Sequence, residues 1–183
     1  MCVIIYKPTN RELPDRELLK LAYHVNHDGI GLVSPEVNYK GFSFDRFMRV
    51  LKTCKEKEPV LIHFRWATHG SIARKNCHPF HDSQTDTWFM HNGVLPIESS
   101  RDMTDSEIFF RSEVVPVLKA GQFLSNGKSP LDYFRLQEVI DPYASSNRFA
   151  MLCGRDVRLF GQWYGYDGLF CSNLRFLYHS MFV

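Results

Sequence analysis

Apolar positions fall into two alternating periods along the chain, and those periods define its elements. Cys2-Val3-Ile4-Ile5-Tyr6 is a β-rich run closed by Lys7-Pro8, which predicts that the chain opens in a buried strand. Asp15 is placed to cap a helix through about Val25, with Leu18, Leu19, Leu21, Ala22 and Val25 at helical spacing. Asp28 to Val33 reads as a turn entering a strand, and Val37 to Phe42 as its partner. Ser43 precedes a second helix that carries Phe44, Phe47, Met48, Val50 and Leu51 on one side and ends near Cys54. Lys55 to Glu58 reads as a solvated loop.

Val60 to Trp66 alternates: Val60, Ile62, Phe64 and Trp66 face one way, Leu61, His63 and Arg65 the other. Trp66 is assigned to packing, and Arg65 to the polar side of the strand end. Thr87 to His91 is a further strand, stopped by Asn92-Gly93. Thr104 or Asp105 begins a helix to about Lys119, kinked or tightened by Pro116, and Ser129-Pro130 begins another to about Val139. Arg148–Cys153 and Val157–Phe160 form a hairpin, followed by short strands at Trp163-Tyr164, Gly168–Cys171 and Phe176–Tyr178. Strands and helices in blocks, joined by hairpins, predict an α+β fold with largely antiparallel sheets.

The length of 183 residues suits one domain over 1–183 and leaves no room for two catalytic domains. A composition 44% hydrophobic and 14% aromatic excludes intrinsic disorder. With 22 basic and 20 acidic residues, net charge +2, no attraction to nucleic acid or an anionic membrane is expected. No apolar run of about 18 residues is available to span a bilayer. The five cysteines are odd in number, form no Cys-x-x-Cys pair and follow no signal peptide, so a reducing, cytoplasmic setting is expected.

Cys2 stands apart because removal of Met1 would give its thiol a free α-amine on the same residue. Such an amine, with a pKa near ~7.7–8.0, is roughly a tenth to a sixth unprotonated at pH 7 and can serve as base for its own thiol. Four further blocks follow in order: His63 to Gly70 (His-Phe-Arg-Trp-Ala-Thr-His-Gly), Asn76-Cys77-His78-Pro79-Phe80, His91-Asn92-Gly93 and Thr104-Asp105-Ser106-Glu107. With Met-Cys at the start, this series resembles the class II glutamine amidotransferases, whose glutaminase domain is an N-terminal nucleophile hydrolase. The likeness covers about the first 110 residues, with a weaker echo in Cys171-Ser172-Asn173-Leu174.

The resemblance implies a four-layer αββα sandwich of two mainly antiparallel sheets, with L-glutamine as substrate and no cofactor. The chemistry asks for the same groups. A guanidinium at Arg65 suits the α-carboxylate of glutamine, and a carboxylate at Asp105, at a helix start, suits its ammonium. Asn92 and Gly93 offer a side-chain amide and an open backbone N–H to an oxyanion. From the family, Thr68 and His69 are expected to line the glutamine pocket. Family members usually carry an acceptor-using domain after the glutaminase domain, so a separate ammonia-accepting synthase is the expected partner. The alternatives are an amide hydrolase acting on a γ-glutamyl-type compound and a silent binding protein on the same fold.

Each residue also has a simpler reading: Arg65 as a surface ion-pair residue, Asn92-Gly93 as a type I′ hairpin turn, Asp105 as a helix cap. His63, His69, His78, His81 and His91 with Cys77 lack the spacings of a zinc site, so no metal is expected, and a Cys77 or Cys153 pair with His91 has no local support. Asp28-Gly29-Ile30-Gly31 lacks the third glycine of a dinucleotide fingerprint. Two departures from the family are Val25-Asn26-His27, where many members have Arg-Gly-Tyr, and Val3, where a glycine is common.

Overall fold

A computed structural model describes residues 2–67, 70–100, 102–124 and 128–178. In chain order the elements are β1 (Val3–Lys7), α1 (Arg16–Val25), β2 (Ile30–Val33), β3 (Asn38–Gly41), α2 (Phe44–Leu51), β4 (Val60–Phe64), β5 (Phe80–Asp82) and β6 (Thr87–Asn92). Then come α3 (Asp105–Phe109), α4 (Val115–Leu124), α5 (Phe134–Ala144), β7 (Arg148–Cys153), β8 (Asp156–Phe160), β9 (Tyr164–Tyr166), β10 (Leu169–Cys171) and α6 (Arg175–Tyr178). A six-stranded sheet has the order β3-β2-β4-β1-β10-β9, and a four-stranded sheet the order β5-β6-β7-β8. Every paired neighbour is antiparallel.

The period-two alternation sorts side chains into three apolar layers. From β1 and β4, Val3, Ile5, Val60, Ile62 and Phe64 pack beneath α1, α2 and α6, against Leu19, Ala22, Phe47, Leu51 and Phe176. The opposite faces of those strands send Ile4 and Leu61 between the sheets, where Met90, Ala150 and Leu152 meet them. On the outer face of the second sheet, Phe89, Phe149 and Met151 pack with Phe109, Phe110, Leu118, Leu136 and Ile140 of the remaining helices. The result is the expected order helices–sheet–sheet–helices. Each fully buried Leu, Ile or Phe contributes about 1.5–3 kcal/mol, so the layering itself follows from the alternation.

Several expectations are corrected locally. Asp15 holds the N-cap position of α1 but makes no side-chain cap, whereas Ser43 and Thr104 do accept from Arg46 N and Glu107 N. The helix from Asp105 runs past Lys119 to Leu124 and widens into a π turn at Phe110–Val114, directly before Val115-Pro116. A widened turn there accommodates a ring that has no N–H to return to the preceding carbonyls. Ser129 caps only a 3-10 turn, Pro130–Asp132, and α5 starts afterwards at Phe134. Phe176–Tyr178 belongs to a helix, because Asn173 Oδ1 accepts from Arg175 N at 3.1 Å and starts a helical turn. The three-residue β5 is too short to show a period.

The charged run before β4 is not simply solvated. Lys7 is fully buried, and its ammonium donates to the carbonyls of Glu56 and Glu58 at 2.6 and 2.7 Å. Glu58 is buried as well, 3.3 Å from Arg155 and 3.7 Å from Lys55. Among the described residues no helix is long and apolar enough to cross a membrane.

Candidate functional site

β1 and β4 lie side by side and bring Cys2 to Trp66. The Cys2 Sγ accepts from Trp66 N at 3.3 Å and donates to Trp66 O at 3.4 Å, while the Cys2 carbonyl accepts from Asn173 Nδ2 at 2.8 Å. Burial pushes the thiol pKa up; the Trp66 backbone N–H, the chain terminus and Arg65 only partly oppose it. A thiol so placed is protonated at neutral pH unless a base takes its proton.

β4 ends at Phe64, so Arg65 and Trp66 leave the sheet rather than continue its alternation. They are held by the turn before β2: Arg65 N donates to Gly29 O, Asp28 N to Arg65 O, and Ala67 N to the Asp28 carboxylate, at 2.8–2.9 Å. A close backbone crossing supports that turn, since a Cβ at Gly31 would stand 1.9 Å from the His78 carbonyl. Arg65 is not on a polar surface: it is 4% exposed, and its Nη1 donates to Ser71 O at 3.1 Å. Trp66, assigned to packing on the same face as Val60, Ile62 and Phe64, is 43% exposed and lines the cleft. Its backbone, not its ring, meets the thiol.

The second sheet supplies the opposite wall. Asn92 ends β6, but it closes no hairpin, because β6 pairs with β5 and β7 and the chain runs on to α3. Gly93 has φ +151°, and a Cβ there would lie 2.0 Å from Asn147 Oδ1. Only glycine fits that approach. His91 is fixed on both sides, Nε2 to Asn147 Oδ1 and Nδ1 to Ser106 Oγ, each at 2.8 Å. An amide oxygen only accepts, so Nε2 carries the proton and Nδ1 accepts from Ser106. Burial keeps His91 neutral, with its pKa below the ordinary value. Asp105 begins α3, and its carboxylate accepts from Leu95 N and Ser106 N at 2.9 and 2.8 Å.

Cys2, Arg65, Gly93 and Asp105 therefore line one cleft, together with Trp66, Asn76, His78, His91, Thr104 and Ser106. Asn92 stands behind it, in an adjoining pocket with Ser172, Asn173, Arg148 and Arg175, and its Nδ2 donates to Ser172 Oγ at 2.8 Å. Thr68 and His69 lie outside the described residues. A larger groove of about 680 Å³ between Asn10–Leu21 and Tyr166–Leu177 contains none of the candidate residues. Cys153 stands four register pairs from His91 along β6–β7, and its thiol turns to Thr85 O, so no Cys153–His91 pair forms. Cys77 turns to Ala73 O, and no group of three His, Cys, Asp or Glu among the described residues could hold a metal.

Sequence reasoning gave no role to Asp28, Asn76, Ser106, Ser172 or Asn173. Asn76 and Ser106 sit inside quoted blocks, and Ser172-Asn173 inside the faint C-terminal echo. Asp28 directly follows Val25-Asn26-His27, the segment set against the family's Arg-Gly-Tyr.

No family model matches the chain. Glutamine–fructose-6-phosphate aminotransferase (isomerizing) from Tropheryma whipplei (strain Twist) is 33% identical over 74 residues, 37% of this chain and 12% of that protein. The enzyme of the same name from Idiomarina loihiensis is 28% identical over 104 residues, 52% of this chain and 17% of that protein. In three dimensions, the glutamine phosphoribosylpyrophosphate (PRPP) amidotransferase from B. subtilis, complexed with ADP and GMP, matches 93% of this chain and 41% of its own with a TM-score of 0.56 at 15% identity. The chain resembles class II glutamine amidotransferases. The structural likeness shows that the two share the N-terminal nucleophile hydrolase fold, and the chain spans between about an eighth and a sixth of the aminotransferases just described.

Proposed function

We propose that the chain hydrolyses L-glutamine to glutamate and ammonia with Cys2 as nucleophile, and that residues 1–183 act as one glutaminase unit. The observation that carries this reading is the convergence of Cys2, Arg65, Gly93 and Asp105 on one cleft from two different sheets and a helix start. Once Met1 is removed, the α-amine of Cys2 takes the thiol proton, a step made necessary by the raised thiol pKa. The thiolate adds to the side-chain amide carbon of glutamine. Gly93 N–H and the Asn92 amide stabilise the oxyanion, the proton passes to the departing nitrogen, and ammonia leaves a γ-glutamyl thioester. Water then adds to the thioester, returns a proton to the amine–thiol pair and releases glutamate.

Arg65 binds the α-carboxylate and Asp105 the α-ammonium, while Thr68 and His69 complete the pocket. The open space in the cleft is about 30 Å³, room for about one or two waters, so glutamine binding requires the cleft to widen. We assign the ammonia to a separate synthase and the reaction to the cytoplasm, in keeping with five free thiols.

Intact-mass measurement before and after a glutamine-like diazoketone tests the core of the reading. Loss of Met1 and one added reagent, absent in Cys2→Ala, is the expected result. Undiminished ammonia release by Cys2→Ala would overturn it. Co-purification followed by glutamine-dependent amidation that needs both proteins tests the partner.

A further inference from the structure

Two hydrogen-bonding capacities are unspent at the point where the sheets meet behind the cleft. Ser172, 3% exposed, accepts through Oγ from both Ile4 N and Asn92 Nδ2, each at 2.8 Å. Its own hydroxyl proton has no acceptor among the described residues, and Asn92 Oδ1 is buried without a donor. A half-turn of the Asn92 amide pairs the serine proton with Oδ1 and gives up the bond from Nδ2, whose hydrogens are then left for an acceptor that forms only in the reaction. Ser172 then accepts from Ile4 and donates to Asn92 Oδ1, and Nδ2 takes the place of the unpartnered oxygen.

We propose that Ser172 is a positioning residue that sets which atom of the Asn92 amide is available to the oxyanion. It acts through Asn92 and touches neither substrate nor thiol. The inference rests on the glutaminase reading, because an oxyanion must form for the orientation of Nδ2 to matter. Ser172 suits the task because its backbone is itself anchored: Ser172 N donates to Ile4 O at 2.9 Å, two residues from the nucleophile. The serine thus ties the nucleophile's strand to Asn92 on the opposite sheet.

Glutaminase kinetics on the full chain, with Met1 removed, test this. Ser172→Ala is expected to lower kcat by about 10–100-fold with KM changed by less than about threefold, since losing one oxyanion donor costs about 10²–10³. Ser172→Thr, which keeps the hydroxyl, should recover most of the rate. The double variant Asn92→Ala/Ser172→Ala should be no slower than Asn92→Ala alone, as expected of residues acting as one unit. Should Ser172→Ala fail to fold, Ser172→Cys keeps the shape with a weak donor and should show the same fall in kcat. An unchanged kcat in the folded variant, or additive losses in the double variant, overturns the proposal while the glutaminase reading stands. A wild-type protein with processed Cys2 and no glutaminase activity overturns both.

Discussion

The seam between the two sheets changes character along its length. At one end Tyr6, Leu61, Trp88, Met90 and Leu152 pack as an apolar layer. At the other, the same strands present Cys2, His63, Arg65 and Asn92. β1 carries Tyr6 and Ile4 with Cys2 just before its start, β4 carries Leu61 and His63 with Arg65 just past its end, and β6 runs from Trp88 through Met90 to Asn92. One pleat therefore supplies both adhesion and chemistry. The apolar end gains by leaving water, whereas each polar group at the other end is stable only when bonded, at a cost of about 1–3 kcal/mol when it is not. A small domain holds a polar cleft of this kind because the neighbouring seam offsets it.

That division of labour makes the two ends separable by mutation. Leu61→Ala, at the apolar end, should lower unfolding free energy by about 2–5 kcal/mol and leave kcat nearly unchanged well below the melting temperature. Denaturant titration beside glutaminase assays reads both quantities. A large fall in kcat in the folded variant would mean that the ends are mechanically coupled. The converse is Asn92→Ala, at the polar end. It should lower kcat by about 10²–10³-fold, about 2.7–4 kcal/mol of transition-state stabilisation, with a smaller effect on stability. An Asn92→Ala protein with wild-type kcat would confine Asn92 to structure.

The apolar end was legible from sequence because burial follows a period that the residue string displays. Val60, Ile62 and Phe64 against Leu61 and His63 is the alternation the structure contains. What the string did not reveal was that both faces are covered, so His63 and Arg65 are buried, not on a polar side. Of the candidate residues named in advance, Cys2, Arg65, Gly93 and Asp105 meet in one cleft, while Asn92 lines a neighbouring pocket. Their supports were not named. Asp28 holding Ala67, Asn147 holding His91 and Ser172 holding Asn92 are contacts between residues 39, 56 and 80 positions apart. No local pattern records such pairings. Trp66 failed for a simpler reason, since the strand stops two residues earlier than its alternation suggested.

The polar end should also give the fold a pH dependence that the apolar end lacks. Burial pushes His63 down to about 3, with Arg65 and His91 adding to the effect, and His78 is lowered for the same principal reason. Both rings are neutral in the fold, and their centroids are 4.4 Å apart. An unfolded histidine binds protons below about 6.5 while the folded one does not, so the unfolded state binds more protons and stability falls as pH drops. The contribution is fully present above about 6.5 and is lost progressively towards about 3. Between pH 6.5 and 5, His63 alone accounts for about 2 kcal/mol. Denaturant midpoints across that window should fall more steeply in the wild type than in His63→Leu. Equal slopes would remove His63 as the source.

The smallest effect expected concerns the guanidinium. In the proposed complex Arg65 contributes two parallel hydrogen bonds to the α-carboxylate of glutamine, while its Nη1 also holds the Ser71 carbonyl. Lysine preserves the charge but not the planar fork, and a point charge cannot serve both partners at once. Arg65→Lys should therefore raise KM for glutamine about tenfold, close to 1.4 kcal/mol, and lower kcat little, because the lost contact is made equally in ground and transition states. Steady-state kinetics with glutamine and with an analogue lacking the α-carboxylate decide the point. The analogue should be hydrolysed equally by both proteins. If Arg65→Lys slows the analogue as much as glutamine, the guanidinium works by shaping the loop at Ser71, not by binding substrate.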